Sequence, residues 1–232
     1  MDERDRLSLI GHAGMAVMGP LHEHELLALL EGRVAPGDRL LDLGGGRGDL
    51  ALLCAQRFGC RAITVDRSPA TCEEARRRVR GASVEVVCDE TRAYLARESP
   101  RGLALACVVG ALHAFGTGIA SWTNAIETLA PLSRAVLVAD IVATGPLGAR
   151  TFDVARASEL EPLERRAQAR LALPSERVVA YEQAWCDAVA ASPVVRDGDP
   201  RAEWVRERLA WSERTRDAWR ELAFVALWIE PA

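Results

Sequence analysis

Leu40-Leu41-Asp42-Leu43-Gly44-Gly45-Gly46-Arg47-Gly48 joins an apolar run to an acid and then to glycines at alternate positions. Glycine enters the positive-φ region at little steric cost, so this segment predicts a sharp turn at the end of a buried strand, with a helix opening at Asp49. Backbone N–H groups at such a strand-to-helix turn can approach a ligand closely, which suits the loop to gripping an adenosine-linked molecule. The nicotinamide and flavin fingerprint, G-x-G-x-x-G, fails here, because counting from Gly44 its last position falls on Asp49. The pattern D-x-G-x-G-x-G is met without mismatch by Asp42, Gly44, Gly46 and Gly48.

The chain on either side of this loop alternates. Leucines at helical spacing run from Leu21 to Leu30 and stop at Gly32, and Pro36-Gly37-Asp38 leads into the first strand. A helix is predicted over 49–58, a strand over 62–66, and a helix opened by Ser68-Pro69 and running through Arg80. A strand over 84–88, a helix over 91–98, a strand over 103–110, a helix over 122–129 and a strand over 135–139 follow. Such alternation predicts an α/β fold, a parallel sheet covered on both faces. Beyond Asp140 the expectation is a loop over 144–148, helices over 159–170 and 176–191, and a short strand at 171–173. Breaks follow at Ser192-Pro193 and Asp197-Gly198-Asp199-Pro200, then a helix carrying Trp204 and Trp211, and an apolar strand over 222–229. The organisation expected is an N-terminal helical lid (1–34), a ligand-binding core (35–142), a helical cap with a short strand (143–221) and a closing strand (222–232).

Composition narrows the class. At 232 residues and 49% hydrophobic, the chain can bury the core of one domain. No apolar run reaches membrane-spanning length, which predicts a soluble, cytoplasmic protein without a membrane partner. Six cysteines without a C-x-x-C pair read as buried thiols, and no metal site is expected. A net charge of −4 provides no basic field for nucleic acid, and the cluster Arg76-Arg77-Arg78 with Arg80 reads as a solvated helix face beside Glu73 and Glu74. The sequence contains no lysine, which excludes a Walker or Schiff-base lysine. Arginine- and alanine-rich usage points to a GC-rich, bacterial genome.

On the loop Asp42, Gly44, Gly46 and Gly48, the chain resembles the class I, Rossmann-like S-adenosylmethionine-dependent methyltransferases. The resemblance implies a doubly wound, mostly parallel seven-stranded sheet in the order 3-2-1-4-5-7-6, and S-adenosylmethionine as cofactor. It implies that Asp42 and Gly44, Gly45, Gly46 and Gly48 meet the amino acid end of the cofactor. Asp66, ending the second strand, would accept from the ribose hydroxyls, flanked by Arg67 and Ser68. Asp89, ending the third strand, would face the adenine amine, with Cys88 and Glu90 beside it. An acid after a strand is equally the N-cap of the next helix, so two readings stand for Asp89. Arg67 is the single cation of this set, which suits a ligand carrying its own sulfonium charge better than a pyrophosphate.

The string Gly110-Ala111-Leu112-His113-Ala114-Phe115-Gly116 resembles a Gly-x-x-His-x-Phe-Gly signature of bacterial small-molecule methyltransferases. There Gly110 and Ala111 would approach the cofactor, and His113 is either the general base or a group that positions the substrate. The same likeness covers Met18-Gly19-Pro20-Leu21, with Gly19 where asparagine is usual, and implies that His12 lies on the lid near the reacting methyl. Val178, Tyr181, Trp185 and Ala188 form a helical stripe with Glu182 at its edge. By resemblance Tyr181, Glu182 and Trp185 line the acceptor pocket, whereas by pattern alone such a stripe is core. Pro131-Leu132-Ser133-Arg134 departs from the proline-glycine turn usual before the fifth strand. The function expected is methyl transfer to a small-molecule O, N or C nucleophile in bacterial secondary metabolism, catalysed through His113, Glu182 and His12 by a chain that can pair as a homodimer. The alternatives are a non-methylating pericyclase or decarboxylase on the same fold, or a non-catalytic binding module.

Overall fold

The computed structural model describes residues 3–98, 100–196 and 201–231. In chain order the elements are α1 (Glu3–Gly11), α2 (Glu23–Leu30), β1 (Arg39–Leu43), α3 (Asp49–Phe58), β2 (Arg61–Asp66), α4 (Pro69–Arg78), β3 (Val84–Cys88), α5 (Thr91–Glu98) and β4 (Leu103–Val109). They continue with α6 (Gly118–Leu129), β5 (Ser133–Ala143), α7 (Pro146–Thr151), α8 (Glu161–Glu164), β6 (Ala169–Leu173), α9 (Ser175–Ala190), α10 (Pro193–Arg196), α11 (Ala202–Arg214), α12 (Arg216–Trp219) and β7 (Leu222–Ile229). Among the described residues, seven strands form one sheet in the order β3-β2-β1-β4-β5-β7-β6, as the family resemblance implies. β1 to β5 are parallel to one another, and β7 runs antiparallel between β5 and β6.

Period-two alternation divides the apolar side chains between two cores. Leu40, Leu105, Cys107 and Leu137 face the side covered by α2, α3 and Val178 of α9. Leu41, Leu43, Ala106, Val108 and Val136 face the opposite side, under Tyr94 of α5 and Trp122, Ile126 and Leu129 of α6. A third, smaller core joins α1 to the helices before β7: Leu7 packs with Trp185, Val189, Val194 and Val205. The chain winds outward from β1 in one direction and from β4 in the other. A crevice therefore opens between the C-terminal ends of these two strands, where open α/β sheets hold ligands.

Three expectations after Asp140 are corrected. Residues 144–148 are not all loop, because α7 starts at Pro146: Glu221 Oε2 accepts from Leu147 N at 2.6 Å and Gly148 N at 3.0 Å, capping the helix from a distant part of the chain. The predicted helix over 159–170 gives way to a 3-10 turn at Ala157–Leu160, the one-turn α8, and a strand beginning at Ala169. Pairing of Ala169 with Trp228 and of Leu173 with Phe224 overrides local helical preference there. β5 also runs longer than 135–139, because its second half pairs with β7. The expected break at Asp197-Gly198-Asp199-Pro200 lies outside the described residues.

Replacing Glu221 by Ala should leave two N-terminal N–H groups of α7 without their anionic acceptor, a loss of about 1–2 kcal/mol. Urea unfolding of Glu221→Ala against Glu221→Gln checks this. The expected order of stability is wild type, Gln, Ala.

Candidate functional site

A cavity of about 510 Å³ occupies the crevice. Asp42, Gly44, Gly45, Gly46, Asp66, Arg67, Ser68, Glu90, Gly110, Ala111, His12, His113 and Tyr181 line it. Gly48, Cys88, Asp89, Glu182 and Trp185 are absent from its wall.

The glycine loop works differently from the sequence expectation. Gly44 N and Gly45 N donate to Val65 O at 2.8 and 3.1 Å, Gly46 N donates to Asp66 Oδ2 at 3.0 Å, and Gly48 N donates to Gly45 O at 2.9 Å. These amides are committed within the fold, so the loop offers a ligand close approach to backbone rather than a set of donors. Side chains are excluded sterically. A Cβ on Gly45 would lie 2.1 Å from Thr64 Oγ1 and 2.4 Å from Asp42 Oδ2, and one on Gly44 would lie 2.3 Å from Ala111 Cβ. Gly48, at φ 72°, sits behind the loop against Val79 and Thr64, where it packs α3 rather than meeting the cavity.

Asp42 is 3% exposed and lies between Thr64 on β2 and Cys107 on β4 in the sheet register. Burial, then the charges of Asp49 and Asp66, raise its pKa to about 7. The Thr64 hydroxyl, 3.5 Å away, offsets little of this. A desolvated carboxylate beside other carboxylates is complementary to a cation, and the committed loop amides leave a pyrophosphate poorly served.

Asp66 accepts from Gly46 N and, through Oδ1, from Ser68 N at 2.9 Å, which ties β2 to both neighbouring turns. Ser68 itself caps α4, its Oγ accepting from Thr71 N. Arg67 and Glu90 flank the mouth, exposed and 4.0 Å apart. Asp89 is turned away: its Oδ2 pairs with Arg97 at 2.5 Å and its Oδ1 accepts from Glu90 N at 2.8 Å. Asp89 does not line the cavity, whereas Glu90 and Thr91 beside it do. Cys88 is exposed off the wall, its thiol near Arg67 O.

Across the crevice, Gly110 N donates to Ala139 O, and Leu112 N donates to the half-buried Asp140 carboxylate at 3.0 Å. This holds the 3-10 turn Leu112–Phe115 that carries His113, whose side chain is exposed at the rim. Burial raises the Asp140 pKa, and the two backbone donors together with His113 oppose the rise.

The lid and the helices before β7 meet over the cavity. Gly11 lies against Trp185, where a Cβ would be 2.1 Å from the indole Nε1, so α1 can pack flat on α9. That contact makes Trp185 a core residue and brings His12 to Tyr181, one turn away on the same helix face. His12 Nε2 is 2.7 Å from Tyr181 Oη, and Nδ1 is 2.6 Å from Ser8 O. Glu182 points to the other side, paired with Arg208 at 2.7 Å, and the Arg208 guanidinium stacks between Trp185 and Trp211. Glu182 and Trp185, expected at the acceptor pocket, thus do not line this cavity. His22 and His24 are exposed.

Arg47, Asp49 and Ser8 also belong to the site, without a role expected from the sequence. Arg47 is 3% exposed and donates to His12 O and Met15 O, each at 2.8 Å, and to Asp49 Oδ2 at 2.9 Å. It lashes the lid to the glycine loop, while Asp49 also accepts from Met18 N and Arg78. An arginine among loop glycines was the available signal. Its partners lie more than thirty residues upstream, beyond the reach of local pattern.

Residues 40–132 match the family model of a methyltransferase domain. A solved S-adenosylmethionine-dependent methyltransferase from Geobacter sulfurreducens, in complex with S-adenosylhomocysteine, superimposes with a TM-score of 0.81 at 23% identity over 98% of both chains. YjhP from E. coli does so with a TM-score of 0.81 at 21% identity, over 97% of this chain and 99% of that one. These likenesses show the fold. A curated relative, geranyl diphosphate 2-C-methyltransferase from Streptomyces lasalocidi, is 43% identical over 54 residues, which are 23% of this chain and 18% of the relative. Among the described residues, no helix is long and apolar enough to cross a membrane.

Asp42 also gives a pH signature. Its folded pKa lies above the ordinary 3.8, so its stabilising contribution is full below about pH 4 and lost as pH rises through about 7. Asp42→Asn should therefore raise the Tm of the ligand-free protein at pH 8 and leave it nearly unchanged at pH 4. Thermal melts across that range would show a parallel offset at all pH values if Asp42 were already ionised in the fold.

Proposed function

We propose that this chain transfers the methyl group of S-adenosylmethionine to a small-molecule acceptor. The reading rests on one arrangement. A single cavity at the β1/β4 switch point holds a buried acid and a bare glycine loop at one side, and a second acid at the end of β2. His12, Tyr181 and His113 stand where an acceptor would enter. When bound, the cofactor supplies an activated methyl on a cationic sulfur. Asp42 matches the positive charge of its amino acid end, and a carboxylate such as Asp66 can accept from both ribose hydroxyls because each oxygen carries more than one lone pair. The cavity volume suits a nucleoside-sized ligand with a small acceptor beside it. Methyl transfer of this kind depends mainly on holding nucleophile, methyl and sulfur in line in a site shielded from water, and the lid over the glycine loop provides that enclosure.

The string Gly110 to Gly116 and the Tyr181-Glu182-x-x-Trp185 segment support placement among bacterial small-molecule methyltransferases. A non-methylating enzyme on the same scaffold would turn over without releasing S-adenosylhomocysteine.

Calorimetric titration with S-adenosylmethionine, S-adenosylhomocysteine and NAD tests the reading. Micromolar binding of both sulfur nucleotides and none of NAD is expected, and silence from both sulfur nucleotides would sink it. Asp66→Ala should weaken S-adenosylhomocysteine by at least about tenfold, since two hydroxyls lose their acceptor. A thermal melt of the variant separates that loss from a loss of fold.

A further inference from the structure

We propose that the acceptor is a non-anionic X–H nucleophile, a hydroxyl, phenol or amine, whose proton is taken by the Tyr181 phenol oxygen with His12 behind it. This rests on the methyl-transfer reading above and assigns its substrate class and proton path.

The hydrogen bonds of His12 set the direction of the path. Ser8 O can only accept, so the imidazole nitrogen 2.6 Å from it, Nδ1, carries a proton. In the neutral ring Nε2 is then bare, and at 2.7 Å it accepts from the Tyr181 hydroxyl. With its own proton committed to His12, the Tyr181 oxygen presents only lone pairs to the cavity. A ligand group that meets it must bring its own proton. Burial lowers the His12 pKa and keeps the ring neutral, while burial raises that of Tyr181 and keeps the phenol protonated at rest. The charged groups that face this pair are Arg47, which opposes a second proton on His12, and Asp49 and Glu182, which favour one. Arg208 and Asp140 act on Tyr181 with opposite signs.

As the acceptor attacks, its X–C bond forms, the C–S bond breaks with its electron pair going to sulfur, and the X–H proton passes to Tyr181 Oη. The phenol proton moves in turn to His12 Nε2. The imidazolium so formed donates to both Ser8 O and Tyr181 Oη. Tyr181 is the catalytic residue of the pair, and His12 acts through it.

Charge sets the acceptor class. Asp42, Asp49, Asp66 and Glu90 line the cavity, and among the described residues on its wall the one guanidinium is Arg67, beside Glu90. The nearby cations are engaged elsewhere: Arg47 by His12 O, Met15 O and Asp49, and Arg208 by Glu182. Among the described residues, a phosphate or carboxylate on the acceptor would enter an acidic cavity and meet no unengaged cation near Tyr181.

Two measurements decide this. With four histidines in the chain, ¹⁵N spectra of wild type and His12→Gln identify the His12 ring. The expected state at pH 7 is neutral with the proton on Nδ1, and the Nε2 resonance should move in Tyr181→Phe; an imidazolium or an Nε2–H tautomer overturns the proposal. A panel of alcohols, phenols and amines, each with its phosphorylated counterpart, is then assayed for S-adenosylhomocysteine release. Transfer should favour the unphosphorylated members and fall by about 100-fold in Tyr181→Phe, with S-adenosylhomocysteine affinity held within about twofold. Preference for phosphorylated members, or an undiminished Tyr181→Phe, overturns it. If no panel member reacts, the tautomer decides alone. Absent cofactor binding in the wild type would instead count against the methyl-transfer reading.

Discussion

A carboxylate buried at the end of β1 is the constraint around which this molecule is arranged. Asp42 lies between β2 and β4 where the sheet changes its direction of winding, and its neighbours Asp49 and Asp66 are also acids. Burying such a group costs stability unless a cation or a set of donors compensates it. The donors that could have done so, the amides of the glycine loop, are bonded to β2 instead. The fold therefore carries an electrostatic debt at its centre, as binding sites commonly do, and a cationic ligand is what would settle it.

Two contacts roof one side of the crevice. Arg47 reaches from the glycine loop to the carbonyls of His12 and Met15, fixing the end of α1 over the cavity. Gly11 then lets α1 lie directly on Trp185 of α9. The lid thus packs simultaneously on the loop beneath it and on the helices that precede β7. Rotation of α1 would disturb both contacts and the His12–Tyr181 bond together, so loop geometry and acceptor geometry are mechanically joined through one short helix.

The legible parts of the sequence were those whose cause is local. The D-x-G-x-G-x-G loop, the Ser68-Pro69 helix start and the strand-helix alternation from 39 to 129 each follow from dihedral freedom, capping and apolar period, and the observed elements agree within a few residues. Residues 144–170 depart from the sequence expectation because their structure is imposed from afar, while the strand expected at 171–173 is present within β6. α7 is capped by Glu221, and β6 exists because β7 offers it an edge. Asp89 shows the same limit within the site: its position after β3 was evident, but Arg97, two turns along α5, decides where its carboxylate points.

The stripe on α9 shows how fine that limit is. Tyr181, Glu182 and Trp185 lie within five residues, and no helical periodicity separates their fates. Gly11 captures Trp185 for the core, and Arg208 draws Glu182 to the outer side. Tyr181 remains at the cavity, its hydroxyl 2.7 Å from Nε2 of His12, 169 residues earlier in the chain. What distinguishes a pocket residue from a core residue on such a helix is the partner each side chain finds, and those partners come from α1 and α11. The wall of the cavity above the sheet is accordingly shaped by three helices packed together, α1, α9 and α11.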